Sequence, residues 1–444
     1  MPLPAPVTIA TRFSIADKGT GNETCVPASG WSGDADADGE IMRRRERLAL
    51  LLVLVGVLGV AGCSGGNGNR FVNPGASGSS ASGAALGVTP ADKATDIPVS
   101  VEVGIGQGGK LTQVELTDGA GKAVAGKLRE DGTSWVPDEP LDYTTTYTVK
   151  ATGKSGAGKS GTQTGTFTTM ARPGNRMDAH LYMADNATYG QAMPLVVEFK
   201  QGGVKQADRA GVERRLFVTS EPAQQGAWHW DSDTQIEYRP KEYWQPGTKI
   251  KARLGLGGLP VGGGRYGQQD ITIDASIDTV RRIVEVDNGT KQMVAKQDDQ
   301  VMKTIPVSLG KPEKPSFSGT MVIMERLDKT TFDSSTYGTP VNSKDGYRTD
   351  VQFAERLTWD GQFIHGAPWS VAQQGHSNVS HGCVNVALDN AQWLFNWFKV
   401  GDPVVVKGTE QHVNQGNGWT AWDLSWDDFV KGSALKTSPN PLPS

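Results

Sequence analysis

Residues 134–151, SWVPDEPLDYTTTYTVKA, return in altered form at 236–253, IEYRPKEYWQPGTKIKAR. Trp135-x-Pro137 becomes Tyr238-x-Pro240, and Thr146–Val149 becomes Thr248–Lys251. Each copy then leads into an alternating segment, GTFTT at 165–169 and DITIDA at 270–275. Alternation with period two puts every second side chain on one face, as an antiparallel strand with one buried side requires. Upstream, VSVEVGI (99–105) and LTQVELTDGAGKAV (111–124) carry the same alternation between turn residues. A repeat of about this length built from short strands predicts two tandem immunoglobulin-like β-sandwiches, over 88–170 and 171–276. Their expected role is that of a spacer. For the second, a binding role through Trp228, Trp230 and Trp244 stands beside it.

The totals agree with a mainly β, multidomain chain. It has 444 residues, too many for one ordinary core, with 56 Gly and only 7% aromatic residues. A net charge of -4 gives no basic footprint for nucleic acid.

A third unit spans 277–408. RRIVEVDNGTKQMVAK (281–296) predicts two strands joined across Asn288-Gly289, residue types that tolerate positive φ in a tight turn. VMKTIPVSLG continues the sheet. Further on, Asp389 is placed to cap a helix whose apolar positions are Ala391, Leu394, Phe395 and Phe398, with Lys399 and Gly401 closing it. DPVVVKG returns as a strand. The segment 409–434, with Trp419, Trp422 and Trp426, is expected to be a small subdomain that packs back, and 435–444 a disordered tail.

Residues 42–63, MRRRERLALLLVLVGVLGVAGC, have the layout of a secretory signal: basic residues, a short apolar run, then small residues before a cysteine. Val60-Ala61-Gly62-Cys63 resembles a bacterial lipobox, which predicts lipidation of Cys63 and tethering to the outer face of the membrane. Met42 is the expected start, with 1–41 outside the mature protein, and 64–87 reads as a Gly/Ser-rich linker. Cys25 is then absent and Cys63 acylated, so Cys383 is the one free thiol of an exported chain.

That thiol lies in GHSNVSHGCVNV (375–386). His376, His381 and Cys383, with His365, offer four metal ligands, but no second cysteine and no acidic ligand at helical spacing supports them, and no metal is expected. A thiol nucleophile needs a base, and His365, His376 and His381 are each within sequence reach. Gly382 lets a substrate carbonyl approach main-chain N–H groups.

The longer segment IHGAPWSVAQQGHSNVSHGCVNVALDNAQWLF (364–395) resembles the signature of the L,D-transpeptidases, the YkuD-type cysteine enzymes of peptidoglycan: a His-Gly or His-Ser pair, a spacer, then Ser-His-Gly-Cys-x-Asn. The likeness extends over DSSTYGTPVNSKDGYRTDV and the Trp-rich tail. It implies a β-rich catalytic domain with one amphipathic helix after the cysteine. It also implies Cys383 as nucleophile, His365 as general base, and the Cys383 N–H in an oxyanion hole. Tyr347 matches a residue lining the donor pocket, and Trp369 the lid. His381, kept in the catalytic set, matches with Ser380 and Asn385 residues that shape the loop around the thiol. Gly366 stands where some relatives carry Ser. Phe332 stands where relatives often carry a smaller or thioether side chain. The implied reaction joins two peptidoglycan stem peptides by a 3→3 cross-link through a Cys383 thioester, without cofactor, in a monomer facing the cell wall that carbapenems acylate. Water or a protein amine as acceptor would make it an L,D-carboxypeptidase or a protein-anchoring enzyme. The non-enzymatic alternative is a wall-binding lipoprotein.

Overall fold

The computed structural model describes residues 86–435 apart from 338 and 345. The leader, Cys25, Cys63, nearly all of the linker and the tail beyond 435 lie outside the described residues.

In the first sandwich, Thr146–Lys154 alternates as its sequence does, burying Tyr147, Val149 and Ala151 while the threonines face out. It pairs antiparallel with Ser160–Thr169 and Lys110–Asp118. The opposing sheet is Val103–Gly104, Ser134–Pro137 and Gly126–Leu128, and Trp135 fills the space between. VSVEVGI becomes a strand only at its end, because Val101 N–H closes a turn onto the Pro98 carbonyl. In the second sandwich Gln235–Pro240 and Lys249–Leu254 take the places of Ser134–Pro137 and Thr146–Lys154. The sequence repeat is therefore a repeat of the two central strands.

Trp228, Trp230 and Trp244 do not offer a binding surface. They are 2%, 5% and 1% exposed, and each indole N–H is spent internally, on Leu216 O, Glu213 Oε2 and Met193 O. The large rings are the core of this sandwich, and that core runs on without a break into Val322, Met324 and Trp419 of the C-terminal half.

The two sandwiches meet at a buried charge cluster. Glu102 of the first accepts hydrogen bonds from Arg129 Nε and Nη2, Ser134 Oγ, and Arg214 and Arg215 of the second. Burial pushes the Glu102 carboxyl up, but the Arg129 hydrogen bond and the charges of Arg215, Arg129 and Arg214 outweigh it and hold the group far below the usual carboxylate range.

The third unit has two sheets. Strands β1 (Arg282–Asp287), β2 (Gln292–Gln297), β3 (Gln300–Pro306), β4 (Phe317–Val322), β9 (Pro403–Lys407) and β10 (Gln411–His412) form one, in the order β3-β2-β1-β9-β4-β10. Strands β5 (Glu325–Asp333), β6 (Arg348–Arg356), β7 (Phe363–Gly366) and β8 (Val384–Val386) form the other, in chain order. Helix α1 (Leu388–Trp397) packs on β6 and β7. The β1–β2 hairpin is where expected, but its positive φ falls on Lys291 (55°) instead of Asn288-Gly289. The loop is longer than two residues because Asp287 Oδ1 accepts from both Gly289 N and Thr290 N, building an Asx turn first. The helix starts two residues earlier than expected. Ala387 is its cap, and Asp389 sits in the first turn, where its charge favours the N-terminal dipole, without a capping bond to N2 or N3.

The Trp-rich segment packs back, and chiefly on the second sandwich. Arg239 donates to the Ala421 and Leu424 carbonyls, its guanidinium lying against the rings of Trp422, Trp426 and Phe429. Glu213, buried in the same sandwich, accepts from Ser433 Oγ and Ala434 N.

Replacing Glu102 by Ala strands Arg129 and Arg215 without a counter-charge and should destabilise the chain by about 3–5 kcal/mol in urea unfolding. Because the folded carboxyl is depressed, its contribution is complete above the unfolded pKa of about 4.3 and is lost as pH falls. The advantage of the wild type over Glu102→Ala should therefore begin to shrink below pH ~4 and keep shrinking as the pH falls further, since the folded carboxyl protonates only well below that.

Candidate active site

Strands β7 and β8 run parallel, with Ile364 opposite Val384, His365 opposite Asn385 and Gly366 opposite Val386. Paired residues share a face, so His365 and Asn385 point the same way, and two residues earlier Phe363 and Cys383 do too. The opposite face, Ile364 and Val384, joins the core under α1. Strand register alone therefore gathers the thiol and the histidine on one surface.

Both are buried. His365 Nδ1 donates to the Gly366 carbonyl at 3.0 Å, which fixes the tautomer and leaves the Nε2 lone pair available. Burial lowers the His365 pKa to about 4, against the opposing effects of the Gly366 carbonyl and the Asn385 side chain. Burial also pushes the Cys383 thiol up to about 12, although the Phe363 N–H and the Arg356 charge favour the thiolate. The resting pair is therefore a neutral thiol and a neutral imidazole. The thiol hydrogen is directed at the Gly361 carbonyl, with Sγ 3.7 Å from that oxygen.

The peptide between Gly382 and Cys383 is held hard. Ser316 Oγ donates to the Gly382 carbonyl at 2.6 Å, and Gly382 N–H donates to Ser380 Oγ at 3.1 Å. In a trans peptide the N–H points opposite to the C=O, so tying the Gly382 carbonyl to Ser316 turns the Cys383 N–H away from Ser316. Gly382 has φ +125°, so any other residue there would be strained, and its Cβ would stand 3.0 Å from Gln362 Nε2. Ser380 Oγ also donates to the Cys383 carbonyl at 2.6 Å, closing the turn around the thiol.

Phe332, on β5, packs with Cys383 and lies edge-on to His365 with centroids 5.1 Å apart, walling the space beside both groups. Trp369, 57% exposed, stands 6.0 Å from the other side of the His365 ring. Tyr347 is half-buried against the cluster of Phe332 and Cys383, its ring 5.2 Å from that of the exposed His381. Gly366 is buried with its Cβ position against Leu388 and the Gln352 carbonyl. Asn385 donates to Ser370 Oγ and keeps Oδ1 buried beside the imidazole without a hydrogen bond of normal length. It is 3% exposed. His376 is exposed on the loop. Among the described residues no cluster of His, Cys, Asp and Glu has the geometry of a metal site.

Sequence reasoning missed Ser316, Gly361 and Gln362. All three act across long sequence separations, and nothing local marks them. Gln362 bridges, accepting from Phe317 N and donating to the Pro315 carbonyl.

Comparison with known proteins identifies a bacterial Ig domain over residues 92–260 and an L,D-transpeptidase catalytic domain over 281–406. L,D-transpeptidase 2 of Mycobacterium tuberculosis is 33% identical over 418 residues, 90% of this chain and 98% of that protein. L,D-transpeptidase 5 of the same organism is 35% identical over 360 residues, 78% of this chain and 76% of that one. A solved L,D-transpeptidase in complex with imipenem is 31% identical, with a TM-score of 0.45 over 53% of this chain and all of that one.

A thiol with a pKa near 12 has on the order of 10⁻⁵ thiolate at pH 7, so alkylation of Cys383 should depend on His365. His365→Ala should slow reaction with iodoacetamide at pH 7 by ~10²-fold. Since His365 is lowered to about 4, its basic form persists through the neutral range, and the wild-type rate should fall only as pH drops through about 4.

Proposed function

The chain belongs to the L,D-transpeptidase family, cysteine-dependent acyltransferases of peptidoglycan, and from that membership we propose its reaction in detail. His365 Nε2 takes the Cys383 proton as Sγ attacks the carbonyl of the third, diamino-acid residue of a tetrapeptide stem. The negative oxygen that forms is met by the Cys383 N–H. The C–N bond to D-Ala breaks, His365 returns the proton to the leaving amine, and a thioester remains. The side-chain amine of a second stem then attacks, gives its proton to His365, and expels Sγ, which recovers that proton. The product is a 3→3 cross-link.

The observation that supports this most is the shared face of Cys383 and His365 beside a peptide oriented by Ser316 and Ser380. Removing one oxyanion donor costs ~10²–10³ in rate, so that orientation carries as much as the base. Phe332 and Tyr347 are assigned to the donor side, and Trp369 to the cover over His365. Asn385 is assigned to the imidazolium, which its side chain favours over the neutral ring. Cys63 and the apolar run before it supply the proposed lipid anchor, placing the enzyme on the outer face of the membrane toward its substrate.

Incubation with imipenem should add one inhibitor mass to the wild type and none to Cys383→Ala. No adduct on the wild type, or one that survives the substitution, would defeat the cysteine mechanism. Muropeptide analysis of cells lacking the gene should show fewer 3→3 dimers. Unchanged dimers with more tetrapeptide would instead identify water as the acceptor.

A further inference from the structure

The Gly361 carbonyl that meets Cys383 Sγ belongs to a tight loop between β6 and β7. Leu357 N–H donates to the Gln362 carbonyl, Gln362 N–H to Thr358 Oγ1 and Gly361 N–H to the Thr358 carbonyl. So short a loop moves as a unit. One end presents Gly361 to the thiol, and the Gln362 side chain lies against Gly382.

The outer end of this loop is fastened by residues outside both catalytic sheets. Trp359 Nε1 donates to Gln235 Oε1 of the second sandwich at 3.2 Å, and the indole packs on Tyr182 of the same sandwich with centroids 5.5 Å apart. Gln235 Nε2 donates in turn to Glu237 Oε1, a fully buried carboxyl. The C-terminal segment adds a second fastening: Asn417 Oδ1 accepts from Asp360 N, and Gly418, at φ +110°, lies so close to the Leu357 carbonyl that a Cβ would stand 2.7 Å from it. Trp359 remains 36% exposed, so it contributes little to the core, and its definite contacts are with the other domain.

We infer that the second sandwich is part of the nucleophile's support: through Trp359 it holds the 357–362 loop against Cys383, and docking of the two domains sets the position and enclosure of the thiol. Trp359, Tyr182 and Gln235 are positioning residues. They touch neither the thiol nor the histidine and act through Gly361 and Gln362. The inference deepens the acyl-transfer reading and rests on it for its effect on turnover, but the enclosure of the thiol can be measured without it.

The test compares full-length wild type with Trp359→Ala, Tyr182→Ala and Tyr182→Phe. Two rates are followed: alkylation of Cys383 by iodoacetamide as a function of pH, and acylation by imipenem. With the brace loosened, the thiol becomes better hydrated. Alkylation at pH 7 should rise about tenfold and the alkaline limb of its pH profile, which belongs to the thiol, shift to lower pH, while imipenem acylation falls about tenfold. Tyr182→Phe keeps the ring on Trp359 and should match the wild type in both. Unfolding would also expose the thiol and slow imipenem, so the urea midpoint of each variant is measured beside the two rates; a rise in alkylation found only in variants whose midpoint falls would overturn the inference, and Tyr182→Ala lies in another domain should Trp359→Ala fail to fold. Alkylation profiles of Trp359→Ala and Tyr182→Ala within twofold of the wild type would overturn the inference, whatever imipenem does. Loss of imipenem reaction in the wild type as well would strike the acyl-transfer reading alone.

Discussion

One peptide unit, Gly382–Cys383, constrains everything around it. Its carbonyl is committed to Ser316 and the N–H before it to Ser380, and its φ strains any residue but glycine. With that plane fixed, the Cys383 side chain has to emerge on the face it shares with Phe363 and His365, and its own N–H has one direction left. Ser316 lies just before β4 in the other sheet of the domain, so the nucleophile's orientation depends on the two sheets being correctly packed. The histidine needs less. Strand pairing puts it in place, and the carbonyl of its own neighbour selects the tautomer.

Burial of this pair has a chemical meaning. A hydrated thiol beside a hydrated imidazole would exchange its proton with water and oxidise readily. Enclosed by Phe332, Phe363 and the 357–362 loop, the thiol is kept protonated and His365 neutral. Both protonation states come from the same desolvation.

Much of this was legible from sequence, and the parts that were not share a cause. The paired segments at 134–151 and 236–253 located the central strands of both sandwiches, because alternation is a local property that strand geometry preserves. Cys383 stood out by elimination among three cysteines, and the spacing to His365 through its resemblance to a family. The tryptophans of the second sandwich were open to misreading, since sequence gives the size of a ring but not which way its strand faces; Trp228 and Trp230 turned out to lie inward. Asn288-Gly289 had the chemistry of a tight turn, yet Asp287 captured the backbone first and moved the positive φ to Lys291. Ser316, Gln362 and Trp359 carry no local mark at all. Their partners are tens to more than a hundred residues away, and only the folded chain brings them together.

The return of the C-terminal segment to the second sandwich gives the catalytic domain a two-point suspension. The chain enters from that sandwich at Ile277 and, after completing both catalytic sheets, comes back to it where Arg239 is wedged among Trp422, Trp426 and Phe429 and where Glu213 clasps Ser433 and Ala434. A domain hung from one linker can swing; one hung from both ends can only twist within the slack of its attachments. The lever arm that carries the thiol outward from the first sandwich is thus stiff along its length, with the Glu102 cluster locking its first joint and the returning tail its second. With such an arm the thiol keeps a fixed place relative to the first sandwich.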